Sequence, residues 1–210
     1  MPATPPDLRL PVEGAARAAP HGALAWVKRE SVALVGVAGA SLTALGQLVN
    51  AMPMVPLLRD TVSLWQRLTH GFWRPPAAAF GTTLHPHIVA SLTLGVFLLT
   101  IGAGARLAGR LRGHPSPRGA ISRRLGDESW LSLAVFAALC IIFLIGHEGQ
   151  RLVVWGSERV GGYAFAIPVA AGYIAGSVIG GQAFHSRMLR LGLVVVLLLA
   201  GNAIALWAME

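Results

Sequence analysis

The sequence predicts an all-α integral membrane protein with five transmembrane helices and one amphipathic interfacial helix between the first and second spans. Apolar residues make up 54% of the chain and charged residues only 12%, whereas a soluble domain carries about a quarter charged residues. Five apolar runs approach the ~20 residues that a helix needs to cross a bilayer. Basic residues collect between these runs, as they do in the cytoplasmic loops of membrane proteins.

The most basic segment, residues 106–124, fixes the predicted orientation. It carries six arginines: Arg106, Arg110, Arg112, Arg118, Arg123 and Arg124. Because short loops rich in Lys and Arg resist translocation, we expect this loop in the cytoplasm. The amino terminus is then also cytoplasmic, and the carboxyl terminus lies in the periplasm of a bacterial inner membrane or outside the cell. Twelve of the 17 Lys and Arg residues fall on the cytoplasmic side, and all six tryptophans fall at predicted boundaries.

The predicted elements follow in chain order. Residues 1–30 are rich in Pro, Ala and charge, which predicts a cytoplasmic tail that is partly disordered. Residues 31–208 form one transmembrane domain, with spans at about 31–52, 87–105, 130–146, 162–181 and 189–208. The first run exceeds the ~7–15-residue core of a signal peptide, so we expect it to be retained as an anchor. A short turn containing His185, Arg187 and Arg190 precedes the last span.

An amphipathic helix is predicted at about residues 54–73. Its apolar residues recur at spacings of three and four, and they are Val55, Leu58, Val62, Trp65, Leu68 and Phe72. Cationic and polar residues fill the other positions, which is typical of a helix that lies along a membrane surface. Packing on the apolar face of a partner is the alternative. The sequence Arg74-Pro75-Pro76 is expected to end the helix, because proline interrupts the helical hydrogen-bond ladder.

The fourth predicted span carries glycines at four-residue spacing: Gly172, Gly176 and Gly180. In lipid, small residues let two helix backbones approach closely, and this packing holds the helices together. The partner is either another helix of the same chain or a second copy of the chain. We favour packing within the chain.

Polar side chains inside the spans are few, and the clearest are Gln47, Asn50 and Asn202. We expect interhelical hydrogen bonds from them, each worth on the order of 1 kcal/mol. A polar lining for a permeation path is the alternative interpretation. No Asp, Glu, Lys or Arg is predicted deep in a span, and proton-coupled carriers usually need one.

A metal site is one hypothesis for the outer face. His85, His87, His147 and Glu148 are predicted there, and imidazole and carboxylate groups are competent zinc ligands. The spacing matches no standard motif, because Gly146-His147-Glu148-Gly149 lacks the second histidine of HExxH. The alternative is that these side chains are ordinary interfacial residues that bond to water, lipid or helix ends.

The sequence favours no enzymatic activity. It contains no GxSxG, HExxH or P-loop motif, so we predict neither catalytic residues nor a cofactor. Nucleic acid is not an expected partner, because the cations cluster at helix ends and form no face with interleaved aromatics. The expected partners are the lipid bilayer and either another protein or a second copy. The favoured hypothesis is a non-enzymatic inner-membrane subunit, scaffold or sensor. A small-solute or ion transporter or channel is the first alternative, and a metal-binding membrane protein is the second.

Overall fold

A computed structural model of the chain describes residues 22–111, 127–147 and 166–209. Within these ranges the chain forms six α-helices and no strands. The helices are α1 Gly22–Leu48, α2 Pro56–Ala79, α3 Pro86–Leu111, α4 Asp127–His147, α5 Ala166–Gly180 and α6 Gln182–Trp207. The prediction of an all-helical fold is therefore confirmed for the described residues.

Helix α3 lies at the centre of the bundle, and its most extensive contacts are with α1 and α5. Helices α1 and α3 run antiparallel and meet through small residues. A Cβ atom on Gly36 would lie 2.7 Å from Ile101 Cγ1, and one on Gly104 would lie 2.9 Å from Ala33 Cα. We call the end of the bundle where α3 finishes, with Arg106 and Arg110, the arginine end. The opposite end, where α1 finishes and α3 begins, is the α2 end.

Helix α5 packs against α3 through glycines on both helices. A Cβ atom on Gly172 would lie 2.6 Å from Gly95 Cα, and one on Gly102 would lie 2.5 Å from Gly176 Cα. Gly180 is near Ala105, at the arginine end. The structure thus places the predicted packing glycines against a helix of the same chain, where a side chain of any size would separate the two backbones.

The core of the bundle is a continuous apolar layer. Its largest fully buried members include Leu94, Leu98, Ile101, Phe143, Phe184, Met188 and Leu191. Helices α4 and α6 lie at its edge, because only 17% of the apolar window of each is buried, against 56% for α3 and 61% for α1. Their remaining apolar faces, with residues such as Ile141 and Leu197, are exposed.

Four helical segments are long and apolar enough to cross a membrane: Glu30–Leu48, Pro86–Leu111, Ser129–Gly146 and Gln182–Trp207. They are compatible with a multi-pass membrane protein. The predicted span at 162–181 corresponds to α5, which has 15 residues and a length of about 22 Å at ~1.5 Å per residue. That is shorter than the ~30 Å hydrocarbon core, and residues 162–165 lie outside the described ranges.

Two elements begin earlier in the chain than predicted. Helix α1 begins at Gly22, so part of the predicted tail is helical. The segment with His185 and Arg187, predicted as a turn, is the start of α6. The chain instead reverses at Gly181, whose φ of 56° lies in the left-handed region that glycine adopts without a steric penalty.

Helix α2 also differs from its prediction, because it runs through Pro75 and Pro76 to Ala79. The two prolines remove the hydrogen bonds to the carbonyls of Gly71 and Phe72. All four residues lie on the exposed side of α2, where those carbonyls can bond to water. The three residues that follow are alanines, which are strong helix formers, so the helix continues to Ala79.

Candidate functional site

A polar pocket of about 340 Å³ lies at the α2 end, between α1, α2, α3 and the last turn of α4. It is the candidate functional site, and we call it the α2 pocket. Its polar lining consists of three amides, two imidazoles, two hydroxyls and one indole, supplied by Gln47, Asn50, Gln66, His70, His87, Thr43, Thr69 and Trp65. The structure therefore brings together Gln47, Asn50 and His87, which the sequence had placed in two separate groups.

Helix α2 forms one wall of the pocket and is held to the bundle by three side-chain hydrogen bonds. Trp65 Nε1 donates to Thr43 Oγ1 at 3.0 Å, and Gln66 Nε2 donates to the carbonyl of Gly46 at 2.9 Å. Further along α2, Trp73 Nε1 donates to Thr93 Oγ1 at 2.9 Å. These bonds satisfy polar groups that would otherwise be costly to bury in an apolar bundle.

The base of the pocket joins polar residues to the apolar core. His87 is 1% exposed, and its Nδ1 lies 2.7 Å from Gln47 Oε1. Because an amide oxygen only accepts, Nδ1 carries the proton in this pair. The His87 ring also packs on Phe143, with ring centroids 5.7 Å apart, and Phe143 belongs to the buried core. The pocket is therefore closed below by apolar side chains.

The packed face of α2 differs in part from the predicted apolar stripe. Val62 is buried and Trp65 is half-buried, but Leu68 and Phe72 are 60% and 70% exposed. They lie on one exposed flank together with Leu57 and Leu64. The sequence pattern correctly predicted an amphipathic helix. It did not show that one apolar surface of α2 packs on the bundle while a second apolar surface is exposed.

Asn202 lies apart from the α2 pocket and holds the connection between α1 and α2. Its Oδ1 accepts a hydrogen bond from the Val55 backbone N–H at 2.9 Å, and its Nδ2 donates to the Pro53 carbonyl at 3.1 Å. The buried Asn202 thus ties α6 to the segment that leads into α2. These are bonds to backbone in a connecting segment, whereas the prediction was of bonds between helices.

Sequence reasoning missed a buried ion pair near the arginine end. Arg187 donates to Glu30 Oε2 from Nε at 3.1 Å and from Nη2 at 2.5 Å, and Arg187 Nη1 donates to the Ala183 carbonyl at 2.8 Å. Both side chains are at most 7% exposed. Helical spacing could have found the pair, because Glu30 shares a face of α1 with the buried residues Ala33 and Val37.

A second polar cluster near the arginine end links α4, α5 and α6. Ser132 Oγ lies 3.0 Å from both Tyr173 Oη and His185 Nδ1, while His185 Nε2 lies 3.5 Å from Ser177 Oγ. Ser132 is 41 residues before Tyr173 in the sequence, whereas Ser177 and His185 are eight residues apart. Only the packing of the helices shows that they meet.

The remaining predicted residues divide between described and undescribed positions. His85 Nδ1 accepts a hydrogen bond from the His87 backbone N–H at 3.3 Å. No three His, Cys, Asp or Glu side chains converge among the described residues. Glu148 and the side chain of His147 lie outside them, so the four-ligand metal site stays a prediction. Arg106 and Arg110 are exposed at the end of α3, and Arg112, Arg118, Arg123 and Arg124 also lie outside the described ranges.

The fold and the positions of the polar clusters are compatible with the class of multi-pass helical membrane proteins. Comparison with known proteins does not narrow this class, because no protein family, curated protein or solved structure matches the chain.

Proposed function

We propose that this chain is a non-enzymatic component of the bacterial inner membrane that acts through partner proteins as a subunit, scaffold or sensor. The observation that carries the proposal is the sealed interior of the bundle. The α2 pocket and the polar clusters near the arginine end are separated by the buried apolar layer that includes Leu94, Leu98 and Phe143. Across the described residues, a bundle closed in this way presents sites at its ends and offers no polar path from one end to the other.

The proposed membrane arrangement has five crossings, with the arginine end in the cytoplasm. Helix α4 ends beside the α2 pocket, because a Cβ on Gly146 would lie 2.6 Å from the Gln47 carbonyl oxygen. Helix α5 ends beside Ala105 at the arginine end. The ends of α4 and α5 thus lie at opposite ends of the bundle, which supports a crossing by residues 162–181. The arginine-rich loop supports the orientation.

The exposed apolar faces of α4 and α6 are the surfaces where a partner or a second copy is expected. Site-specific photocrosslinking in native membranes tests this, with p-benzoyl-phenylalanine at Ile141 or Leu197, which are 57% and 60% exposed. We expect a discrete protein adduct from at least one position and none from Leu139, which is 2% exposed. Adducts to lipid alone, from every position along both faces, would contradict the proposal.

A solute transporter is the second candidate, and the α2 pocket is the observation that favours it. Eight polar side chains contribute to its lining, and its volume of about 340 Å³ is within the range of small-molecule sites. A flux assay with liposomes that contain only the purified chain separates the two functions. We expect no solute movement above that of empty liposomes, and robust movement of any solute would replace the proposed function with transport.

A further inference from the structure

The α2 pocket has the size of a site for one small solute. Liquid water occupies about 30 Å³ per molecule, so a cavity of about 340 Å³ holds the equivalent of about eleven waters. A solute with roughly a dozen non-hydrogen atoms fills such a space. Polar side chains are rarely placed inside a membrane-spanning bundle without a functional reason, because burying them there is costly.

The lining of the pocket matches an uncharged solute. The residues that line it include no Asp, Glu, Lys or Arg, and the titratable ones are His70 and His87. Asp60 and Arg67 do not line the α2 pocket; they line a surface groove on α2 that shares Gln66 and His70 with it. An ion in the α2 pocket would lose its water without gaining a counter-charge, whereas a neutral polar solute has a much smaller desolvation cost.

The amides of the pocket are arranged to bond a solute. Gln47 Oε1 is used by His87, and Gln66 Nε2 is used by the Gly46 carbonyl. The opposite ends of both amides, Gln47 Nε2 and Gln66 Oε1, have no protein partner within the described part of the chain. One donor on α1 and one acceptor on α2 are therefore held in side chains already fixed by a hydrogen bond, and the indole of Trp65 lines the same pocket. A hydroxyl group both donates and accepts hydrogen bonds, so it matches this pair of amide groups. The C–H face of a sugar or polyol packs on the ring of an indole.

We propose that the α2 pocket binds an uncharged polyhydroxylated solute of the size of a monosaccharide or cyclic polyol. This inference deepens the proposed function, because it names the class of molecule to which a sensor or subunit of this kind would respond. Gln47 and Gln66 provide the fixed hydrogen bonds, and Trp65 provides the apolar surface.

The test is a titration of the full chain in lipid nanodiscs, prepared without glycoside detergent and labelled with 5-fluorotryptophan. The substitution Trp65→Phe assigns the Trp65 fluorine resonance, and Trp130, which is 72% exposed near the arginine end, serves as the internal reference. The probes are D-glucose and myo-inositol, with D-glucuronate as the charged counterpart of similar size. We expect at least one uncharged probe to shift the Trp65 resonance saturably, and D-glucuronate to bind at least tenfold more weakly.

Substitutions separate binding at this site from general effects. Gln47→Leu and Gln66→Leu each remove one hydrogen-bonding group, and we expect each to weaken binding at least tenfold. Thr100→Val is the matched control, because its hydroxyl bonds only to the Val96 carbonyl on the outside of α3. If one of the two glutamine variants does not fold, the affinity of the other variant tests the proposal.

Three results would overturn the inference: no saturable shift with either uncharged probe, equal affinity for D-glucuronate, or unchanged affinity in the glutamine variants. Binding and flux are independent measurements. Failure of this titration leaves the proposed function standing, while movement of glucose across liposomes would remove the proposed function and leave the binding site in place.

Discussion

Glu30 and Arg187 join the first and last helices of the bundle near the arginine end. Glu30 lies about one turn beyond Ala33 along α1, and Ala33 faces Gly104 of α3, so the pair is close to the level of the exposed Arg106 and Arg110. Both charges are nonetheless buried in protein. A buried pair of this kind contributes little net stability compared with apolar residues of the same shape, but it penalises the loss of either partner.

The first prediction concerns this pair. Glu30→Leu or Arg187→Met alone removes one charge of this buried pair, and we expect each to destabilise the protein by about 3–5 kcal/mol. The double substitution Glu30→Leu with Arg187→Met should recover most of that loss, because it leaves no buried charge. Denaturation in detergent, followed by circular dichroism, measures all three. Single variants as stable as the parent chain, or a double variant with the sum of both losses, would show that the pair is not coupled.

At the scale of elements, helix contacts depend on where glycines lack a side chain. Gly172 is buried against the α3 backbone, whereas a Cβ added to Gly201 on α6 would meet nothing within 4 Å. The two positions therefore differ in packing and share the same helix propensity. In sequence the four-residue spacing indicated a packing face but gave no partner, because every apolar helix in a bilayer is a potential neighbour.

The second prediction uses these two glycines as a matched pair. Gly172→Ala places a methyl group 2.6 Å from Gly95 Cα, and we expect it to destabilise the protein by about 1–3 kcal/mol. Gly201→Ala should be neutral or stabilise the protein by up to about 1 kcal/mol, because alanine is the better helix former. The midpoint of thermal unfolding in nanodiscs compares them. Equal effects at the two positions would contradict the close approach of α3 and α5.

The same scale shows why element boundaries were harder to predict than the elements themselves. Each apolar run was recognised because its composition requires a helix in a bilayer. The end of α2 was misplaced because Pro75 and Pro76 lie on an exposed side of the helix that tolerates missing hydrogen bonds. The start of α6 was misplaced because the chain reverses at the single residue Gly181, where a longer turn was expected. The helix propensity of a residue does not show whether its position is exposed or where the chain reverses.

At the scale of the whole molecule, composition was enough to predict an all-helical bundle with several helices long and apolar enough to cross a membrane. It was not enough for the α2 pocket, whose residues come mainly from α1, α2, α3 and α4 and meet only after the helices pack. Gln47 was recognised as a polar residue in a span, and His87 was recognised as an outer-face histidine. Their contact depends on the register of α1 against α3, which is set by Gly36 and Gly104.

The arrangement of the chain in the membrane also belongs to this scale. The proposed threading puts Glu210 outside the cytoplasm, because three proposed crossings follow the arginine-rich segment 106–124, which is expected in the cytoplasm. The same proposal puts the α2 pocket on the outer side of the membrane and the Glu30–Arg187 pair on the inner side.

The most direct measurement is a pair of reporters fused after Glu210, an alkaline phosphatase that is active only outside the cytoplasm and a green fluorescent protein that fluoresces only within it. We predict an active phosphatase and a dark fluorescent fusion. A bright fluorescent fusion with an inactive phosphatase would contradict the proposed threading, and with it the outward position of the α2 pocket.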